Sequence, residues 1–191
     1  MLEHIVTSKT RRKILSLFFS YPAEFYYLRK IVREIGEEVN AVKRELDILE
    51  EAKVLHKERR LNKVFYTLNK SYLYYDEFLR IFTKMNPLAT RIHKNCLKIG
   101  KIKYCAISTK FAKKIPIKDD EIYLLFVGTL VLPEVASIID ESEKEFGREI
   151  NYTVMTEEEF LFRKKNNDPF IWRFLKHPKI LLIGLEEELI K

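Results

Sequence analysis

Residues 38–68, EVNAVKRELDILEEAKVLHKERRLNKVFYTL, decide the fold of the N-terminal part of this 191-residue chain. Residues 38–52 repeat apolar side chains every three or four positions, so they predict a helix with one stripe in a core. That stripe consists of Val39, Val42, Leu46 and Leu49. The opposite stripe is polar and predicts a solvent-facing surface, which holds Asn40, Lys43, Arg44 and Asp47.

The second half of the stretch predicts a β-hairpin. Residues 53–59 and 64–68 both have strand-like composition, and in the second of them Val64, Tyr66 and Leu68 alternate with Phe65 and Thr67. The two strands are joined by residues 60–63, whose sequence RLNK makes the tip of the hairpin basic.

Two shorter helices are predicted upstream. Residues 8–20 carry apolar side chains at helical spacing and end before Pro22, and residues 27–35 do the same before Gly36. A glycine directly after a helix favours a left-handed C-terminal cap. The predicted order is therefore helix, helix, glycine turn, helix and hairpin over residues 1–70.

This order resembles the ArsR- and MarR-type winged-helix families of DNA-binding regulators. The run VKRELDILEEAKVL, residues 42–55, is similar to their recognition helix and its exit into the first strand of the wing. The resemblance implies a winged helix-turn-helix domain over residues 1–70, with double-stranded DNA as its partner.

The resemblance also implies which side chains contact DNA. In winged helices the N-terminal half of the third helix enters the major groove, and the wing lies along the adjacent backbone. The residues nearest the bases are then Asn40, Lys43 and Arg44. The residues that meet phosphates are Arg29 and Lys30 on the second helix and Arg59, Arg60 and Lys63 on the wing.

Three acidic residues argue against DNA at this surface. Glu37, Glu38 and Glu45 lie at the start of the third helix or on it, whereas members of these families usually place Ser or Thr at the cap and keep acids away from phosphate. Either Glu37 and Glu38 only favour the positive end of the helix dipole, or this winged helix binds protein instead of DNA.

Charge divides the chain into three parts. Residues 1–85 carry a net charge of +5, residues 86–118 carry +9 without a single acid, and residues 119–191 carry −7. A basic front and an acidic back are expected when one part of a protein meets a polyanion. Nucleic acid is the first partner to consider, and whether the basic stretch of residues 78–118 contacts it is left open.

The middle segment, residues 71–100, predicts a helical connector. Its aromatic run, which comprises Tyr72, Tyr74, Tyr75, Phe78 and Phe82, suits a seam between two subunits of a homodimer, and dimers match the two-fold symmetry of operators. Packing of the same side chains against the first helix of their own chain is an equally good interpretation.

Residues 101–191 predict alternating strands and helices. Strands are expected at 103–107, 121–127, 149–154 and 179–183, with a helix at 133–146. The runs GREINYTV, TEEEF, DPF and KILLIG, which begin at Gly147, Thr156, Asp168 and Lys179, are similar to a minimal nucleotidyltransferase-like domain found behind winged helices in prokaryotic regulators. The whole chain is thus expected to be α+β, with a helical connector and an α/β C-terminal domain.

The catalytic motif of that superfamily is degenerate here. Active members hold nucleotide phosphates on a Gly-Ser turn and Mg²⁺ on an Asp-x-Asp pair. Alignment without gaps places the turn on Thr109 and Lys110 and the acidic pair on Glu121 and Tyr123. The C-terminal domain is therefore expected to bind an effector or a partner, or to assemble subunits, without catalysis, metal or cofactor.

Other features restrict the functional class. The longest apolar run, residues 122–132, is too short to span a membrane, and the N-terminus lacks a secretory signal pattern, so we expect a cytoplasmic protein. Cys96 and Cys105 form no metal or redox motif and are expected as buried or half-buried thiols. A transcriptional regulator fits best. The alternatives are a protein-interaction or non-specific nucleic-acid-binding module and, with least support, an active nucleotidyltransferase.

Overall fold

The computed structural model describes residues 2–190 and divides the chain into two compact units, Met1–Phe82 and Thr83–Lys191. Each unit has its own sheet and its own core. Helices and strands occur in both, so the chain is α+β. No helix among residues 2–190 is both long and apolar enough to cross a bilayer.

Up to residue 68 the N-terminal unit holds three α-helices and a three-stranded antiparallel sheet, and the start of a fourth helix follows. The strands lie in the order β1-β3-β2. The bounds are α1 Lys9–Ser20, β1 Tyr26–Tyr27, α2 Leu28–Ile35, α3 Val39–Glu51, β2 Leu55–Arg60 and β3 Lys63–Leu68. Helices and hairpin follow one another in the order expected from the sequence, with the two-residue strand β1 added to the hairpin.

Local signals explain where the three helices begin and end. The Ser8 hydroxyl accepts from the Arg11 amide at 3.2 Å and caps α1. Gly36 adopts φ 62° at the end of α2, a left-handed conformation that glycine takes without a steric penalty. Glu38 caps α3 by accepting from the Ala41 amide at 2.9 Å.

The buried stripe of α3 differs from the predicted one at one end. Val42, Leu46 and Leu49 are buried as expected, but Val39 is 42% exposed. The prediction for Val39 was wrong because this residue is the first of the helix, beyond the turn that the core covers. Glu45, only 5% exposed, completes the buried stripe with spacing i, i+3, i+4 and i+7.

The aromatic run of the middle segment packs within its own chain. The helix α4, Tyr75–Lys84, begins in the N-terminal unit, and its rings meet Phe19 of α1. The Phe19 centroid lies 5.9 Å from Tyr75, 5.8 Å from Phe78 and 5.1 Å from Phe82. These contacts favour the intrachain interpretation for three of the five aromatic residues.

The C-terminal unit is built on a mixed four-stranded sheet in the order β6-β5-β4-β7. Only the β5–β6 pair is parallel, and α8 makes the crossover between these two strands. The bounds are α5 Pro87–Lys94, α6 Cys96–Ile99, β4 Gly100–Ser108, α7 Thr109–Ala112, β5 Leu124–Leu130, α8 Leu132–Phe146, β6 Tyr152–Met155, α9 Glu157–Lys165, α10 Pro169–Lys176, β7 Lys179–Ile183 and α11 Glu186–Ile190.

Both faces of this sheet are buried, which gives a helix layer on each side. Because strand side chains alternate, Cys105 and Phe126 contact the layer of α5, α6 and α8, while Ala106 and Leu125 contact the layer of α9, α10 and α11. Burial on both faces explains why β5 is continuously apolar. Cys105 is buried and Cys96 half-buried, as expected.

Two sequence expectations need adjustment in this region. The predicted connector is divided, since α5 and α6 belong to the core of the C-terminal unit through Leu88, Ile92 and Ile99. Strand β5 begins at Leu124 instead of residue 121, so the prediction that Glu121 and Tyr123 lie on a strand was wrong. A turn over residues 118–121, in which the Glu121 amide donates to the Lys118 carbonyl at 3.0 Å, precedes the strand.

Candidate nucleic-acid interface

A basic groove lies on the N-terminal unit between α2, α3 and the β2–β3 hairpin. It is open to solvent on one side, and five of its residues are cationic while one is acidic. We call it the wing groove. Its lining residues are Tyr27, Leu28, Arg29, Arg33, Lys43, Asp47, Lys57, Asn62, Lys63, Val64 and Tyr66.

The positions of the cations in the wing groove follow from the spacing of residues along the helices and strands. Arg29 and Arg33 are four residues apart on α2, and both are exposed. Lys43 lies on the polar stripe of α3, away from the buried stripe. On the hairpin, Lys57 is the cross-strand partner of Tyr66, which brings a cation of β2 to the α3 side.

Most of this charge is not compensated within the chain. Asp47 is the acid of the wing groove, and its carboxylate lies 3.4 Å from Lys57 Nζ. Among residues 2–190, no carboxylate comes within 4.0 Å of the cationic nitrogens of Arg29, Lys43 or Lys63. The groove therefore presents a positive surface that an external anion can meet.

The start of α2 adds backbone donors to the same surface. The side chain of its N-cap residue, Tyr27, accepts no hydrogen bond from the first-turn amides. Those amides lie beside Leu28 and Arg29, which line the wing groove. Free amides at a helix N-terminus favour anions through hydrogen bonding and the helix dipole.

The structure brings three of the eight predicted contact residues into the wing groove: Arg29, Lys43 and Lys63. Asn40 and Arg44 are exposed on α3 but outside its lining. Arg59 follows Lys57 by two positions and so shares its face of β2.

Lys30 and Arg60 lie against aromatic rings away from the groove. Lys30 Nζ is 4.6 Å from the centroid of Tyr26 and 3.7 Å from the carboxylate of Glu24. The Arg60 guanidinium lies 4.6 Å from the centroid of Phe25 and pairs with Glu58 at 2.8 Å. Both cations are thus partly engaged by their own chain.

Sequence reasoning missed two cations of the groove, Arg33 and Lys57. Arg33 could have been predicted, because it lies one turn after Arg29 on the same helix face. The strand alternation that places Arg59 on the wing also places Lys57 on the same face.

The three acids that argued against DNA all have intrachain partners. Glu37 meets the ammonium groups of Lys9 at 3.2 Å and Lys13 at 2.6 Å. Glu38 is the N-cap of α3, and hydrogen bonds from the backbone amides of Asn40 and Ala41 lower the pKa of its carboxyl group. Glu37 therefore forms ion pairs with α1, and Glu38 stabilises the start of α3.

Glu45 forms the best-buried of these contacts. Its carboxylate accepts from the Ser8 hydroxyl at 2.6 Å and from Arg11 Nε at 2.7 Å. Burial opposes ionisation, but the hydrogen bonds from Ser8 and Arg11 prevail and hold the pKa of Glu45 below its ordinary value. The carboxylate thus faces α1 and is removed from the exposed surface of α3.

The four positions that the nucleotidyltransferase resemblance aligns with catalytic motifs are likewise engaged within the chain. Lys110 Nζ donates to both carboxylate oxygens of Glu121 at 2.8 Å, which lowers the pKa of that carboxyl group. The Thr109 hydroxyl donates to the Pro178 carbonyl at 3.1 Å, and the Tyr123 hydroxyl donates to the Ile115 carbonyl at 3.0 Å. All four aligned positions have partners in the chain.

Lys110 and Glu121 border a small cleft, which we call the C-terminal cleft. One wall is the face of α10 with Phe170, Arg173 and Phe174, and Arg173 forms an ion pair with Asp120. Within residues 2–190, no three or more His, Cys, Asp or Glu side chains are grouped so that they could hold a metal ion.

A solved structure is similar to part of this chain. The structure of reduced HlyU from Vibrio cholerae N16961 aligns with 44% of this chain and 80% of its own, with 15% sequence identity and a TM-score of 0.34. No protein-family model matches the chain, and no curated protein matches its sequence.

Proposed function

We propose that the protein binds double-stranded DNA through the wing groove and the exposed face of α3, and that it regulates transcription. The observation that carries this proposal is the joint placement of Arg29, Lys43 and Lys63 in one groove, each without a carboxylate partner among the described residues. A duplex supplies phosphates at the spacing of such a groove, and the helix beside it supplies side chains for bases.

The residues divide by role in this proposal. Lys43 on α3, with Asn40 and Arg44 beside it, meets base edges in the major groove. Arg29 and the free amides of α2 bind phosphate, as do Lys63 and Arg59 of the wing. Contacts to phosphate set the register of the protein on the duplex, and the contacts of α3 determine the preferred sequence.

A homodimer is part of the proposal. One winged helix makes few base contacts, and two copies on inverted half-sites supply the specificity that a genome requires. Sedimentation equilibrium with and without DNA measures this directly. A monomer under both conditions would contradict the dimer but not the DNA-binding surface.

For the C-terminal unit we propose effector binding or assembly without nucleotidyl transfer, in a protein that acts in the cytoplasm. Support comes from Lys110 and Glu121, which neutralise each other where active relatives bind phosphate and metal. Incubation with each labelled nucleoside triphosphate and Mg²⁺ or Mn²⁺ should leave protein, RNA and small-molecule acceptors unlabelled. Label that transfers and is abolished by Glu121→Gln would restore the enzyme interpretation.

Selection of bound sites from random duplex DNA tests the central proposal. The full chain should enrich one motif, and the double variant Arg29→Ala with Lys43→Ala should lose that enrichment. Lys144→Ala with Lys176→Ala removes equal charge from exposed positions of α8 and α10 and serves as the control. Binding without any enriched motif would indicate a non-specific binder, and absence of binding would refute the proposal.

A further inference from the structure

The tip of the β2–β3 hairpin carries a leucine that no contact within the chain accounts for. Leu61 follows Arg60 and precedes Asn62 in the two-residue turn, and its side chain is 96% exposed. Its φ is 51°, in the left-handed region. A single exposed leucine is ordinary, but a leucine with this backbone conformation at a hairpin tip is not.

The backbone of the tip lowers the stability of the hairpin itself. A left-handed conformation is unfavourable for a residue with a Cβ, and tight hairpin turns prefer Gly, Asn or Asp at such positions. The last cross-strand pair, Arg60 with Lys63, places two cations beside this turn, and Glu58 offsets part of the Arg60 charge at 2.8 Å. Local strain of this kind concentrates at binding sites, where a partner offsets it.

The chemistry of the tip indicates the partner. A polyanion stabilises the opposed cations Arg60 and Lys63, and an apolar environment buries Leu61. Asn62 and Lys63 of the tip also line the wing groove, so the tip adjoins the groove. The tip lies three strand residues beyond Lys57, or about 10 Å. That length is comparable with the width of a major groove, about 12 Å.

We propose that Leu61 enters the minor groove of the bound duplex and wedges against a base-pair step, with Arg60 and Lys63 on the flanking phosphates. This inference rests on the proposed function. Apolar side chains inserted in this way partly unstack a step and kink the duplex toward the major groove. Pyrimidine–purine steps deform most easily, so Leu61 selects sites by deformability at a position that α3 does not touch.

Matched substitutions in the full chain test the wedge. Leu61→Asn keeps the approximate size and tolerates the left-handed backbone but removes the apolar surface, whereas Leu61→Met retains it. Leu97→Asn, at a leucine that is 94% exposed on α6, is the control for loss of an exposed leucine. The ligand is a duplex that carries the selected site, with a donor and an acceptor dye at its ends.

We expect Leu61→Asn to weaken affinity about tenfold, or about 1.4 kcal/mol, and to reduce the bend measured by energy transfer. Leu61→Met and Leu97→Asn should stay within about twofold of the wild type and keep the bend. Unchanged affinity and bend in Leu61→Asn would overturn the inference. So would Leu61-dependent binding to anionic phospholipid vesicles, or Leu61-dependent self-association without DNA.

The same experiment separates the two proposals. If Arg29→Ala with Lys43→Ala weakens binding and Leu61→Asn does not, the wedge is refuted and the wing groove remains. If the wild type does not bind duplex DNA, both proposals fail.

Discussion

Three cations of the wing groove and three cations of the C-terminal unit differ in how their charge is compensated. In the C-terminal unit, Arg91 lies 2.6 Å from Glu145, Lys103 lies 2.7 Å from Glu157, and Arg163 lies 2.9 Å from Glu159. In the wing groove, Arg29, Lys43 and Lys63 have no such partner among residues 2–190. Net charge alone does not show this difference, because the difference lies in which cations lack an internal carboxylate partner and can therefore bind an external anion.

The largest effect should come from removing the cations of the wing groove. Arg29→Ala, Lys43→Ala and Lys63→Ala together should weaken duplex binding by about 100-fold or more, since three phosphate or base contacts are lost. The slope of log K against log salt should fall by about 1.8, because two of the three residues, Arg29 and Lys63, meet phosphate. Fluorescence anisotropy with a labelled duplex at several salt concentrations measures both quantities.

The matched control is Arg91→Ala, Lys103→Ala and Arg163→Ala, which removes the same charge from paired positions. Its affinity should stay within about threefold of the wild type. Equal losses in the two triple variants would show that total charge, and not the wing groove, determines binding.

A smaller effect should distinguish two neighbours on α3. Lys43→Ala should weaken binding about tenfold, because its ammonium faces the groove without an acidic partner. Arg44→Ala should weaken it less, because Arg44 lies outside the lining, near enough to Glu38 and Glu45 to favour their ionised forms. Site selection with each variant tells whether either change also relaxes one base position. A larger loss in Arg44→Ala would place the base contacts further along α3 than the groove indicates.

The paired charges of the C-terminal unit should matter for stability and depend on pH. The pKa of Glu121 is lowered by Lys110, so its contribution is present at neutral pH and is lost as pH falls through the folded-state pKa. Glu121→Gln should cost about 1 kcal/mol at pH 7 and progressively less below about pH 4. Urea unfolding followed by Trp172, the chain's single tryptophan, reports on this unit.

Glu134→Gln, at an exposed position of α8, provides the comparison for that measurement. It should leave the urea midpoint nearly unchanged across the same pH range. A pH-independent loss in Glu121→Gln would mean that the Lys110–Glu121 pair does not supply the stability.

The smallest effect should be a gain in stability at the wing tip. Leu61→Gly relieves the left-handed strain but enlarges the freedom of the unfolded chain, so a net gain of about 0.5 to 1 kcal/mol is expected. Circular dichroism during urea unfolding measures it. Asn62→Gly, at the adjacent position without a positive φ, should instead be neutral or destabilising. A loss in Leu61→Gly would show that the leucine stabilises the free protein.

The sequence predicted the helices of the N-terminal unit well because their signals are local. Ser8, Gly36 and the apolar spacing of α3 act within a few residues of the helix ends. Strand β1 was missed because its two residues, Tyr26 and Tyr27, become a strand only by pairing with Tyr66 and Phe65, about 40 positions away. Pairing at that distance leaves no periodic pattern in so short a segment.

Only part of the candidate site could be predicted from the sequence, because some of its residues are brought together by the fold alone. The spacing on α3 identifies Lys43 as exposed, but only the fold shows that Arg33 and Lys57 share its groove. The same holds for Glu45, whose partner Arg11 is 34 positions away. The charge of Glu45 on α3 looked unfavourable for DNA binding in the sequence, and the structure shows it in an internal contact.

The buried contact of Glu45 with Ser8 and Arg11 has a consequence for the history of this protein. It holds α3 against α1 from the stripe opposite to Asn40, Lys43 and Arg44. Substitutions on the exposed stripe can therefore accumulate without loosening the helix that presents them. Under the proposed function, a lineage that keeps Ser8, Arg11 and Glu45 can change its target sequence one side chain at a time, so that recognition and folding evolve separately in this unit.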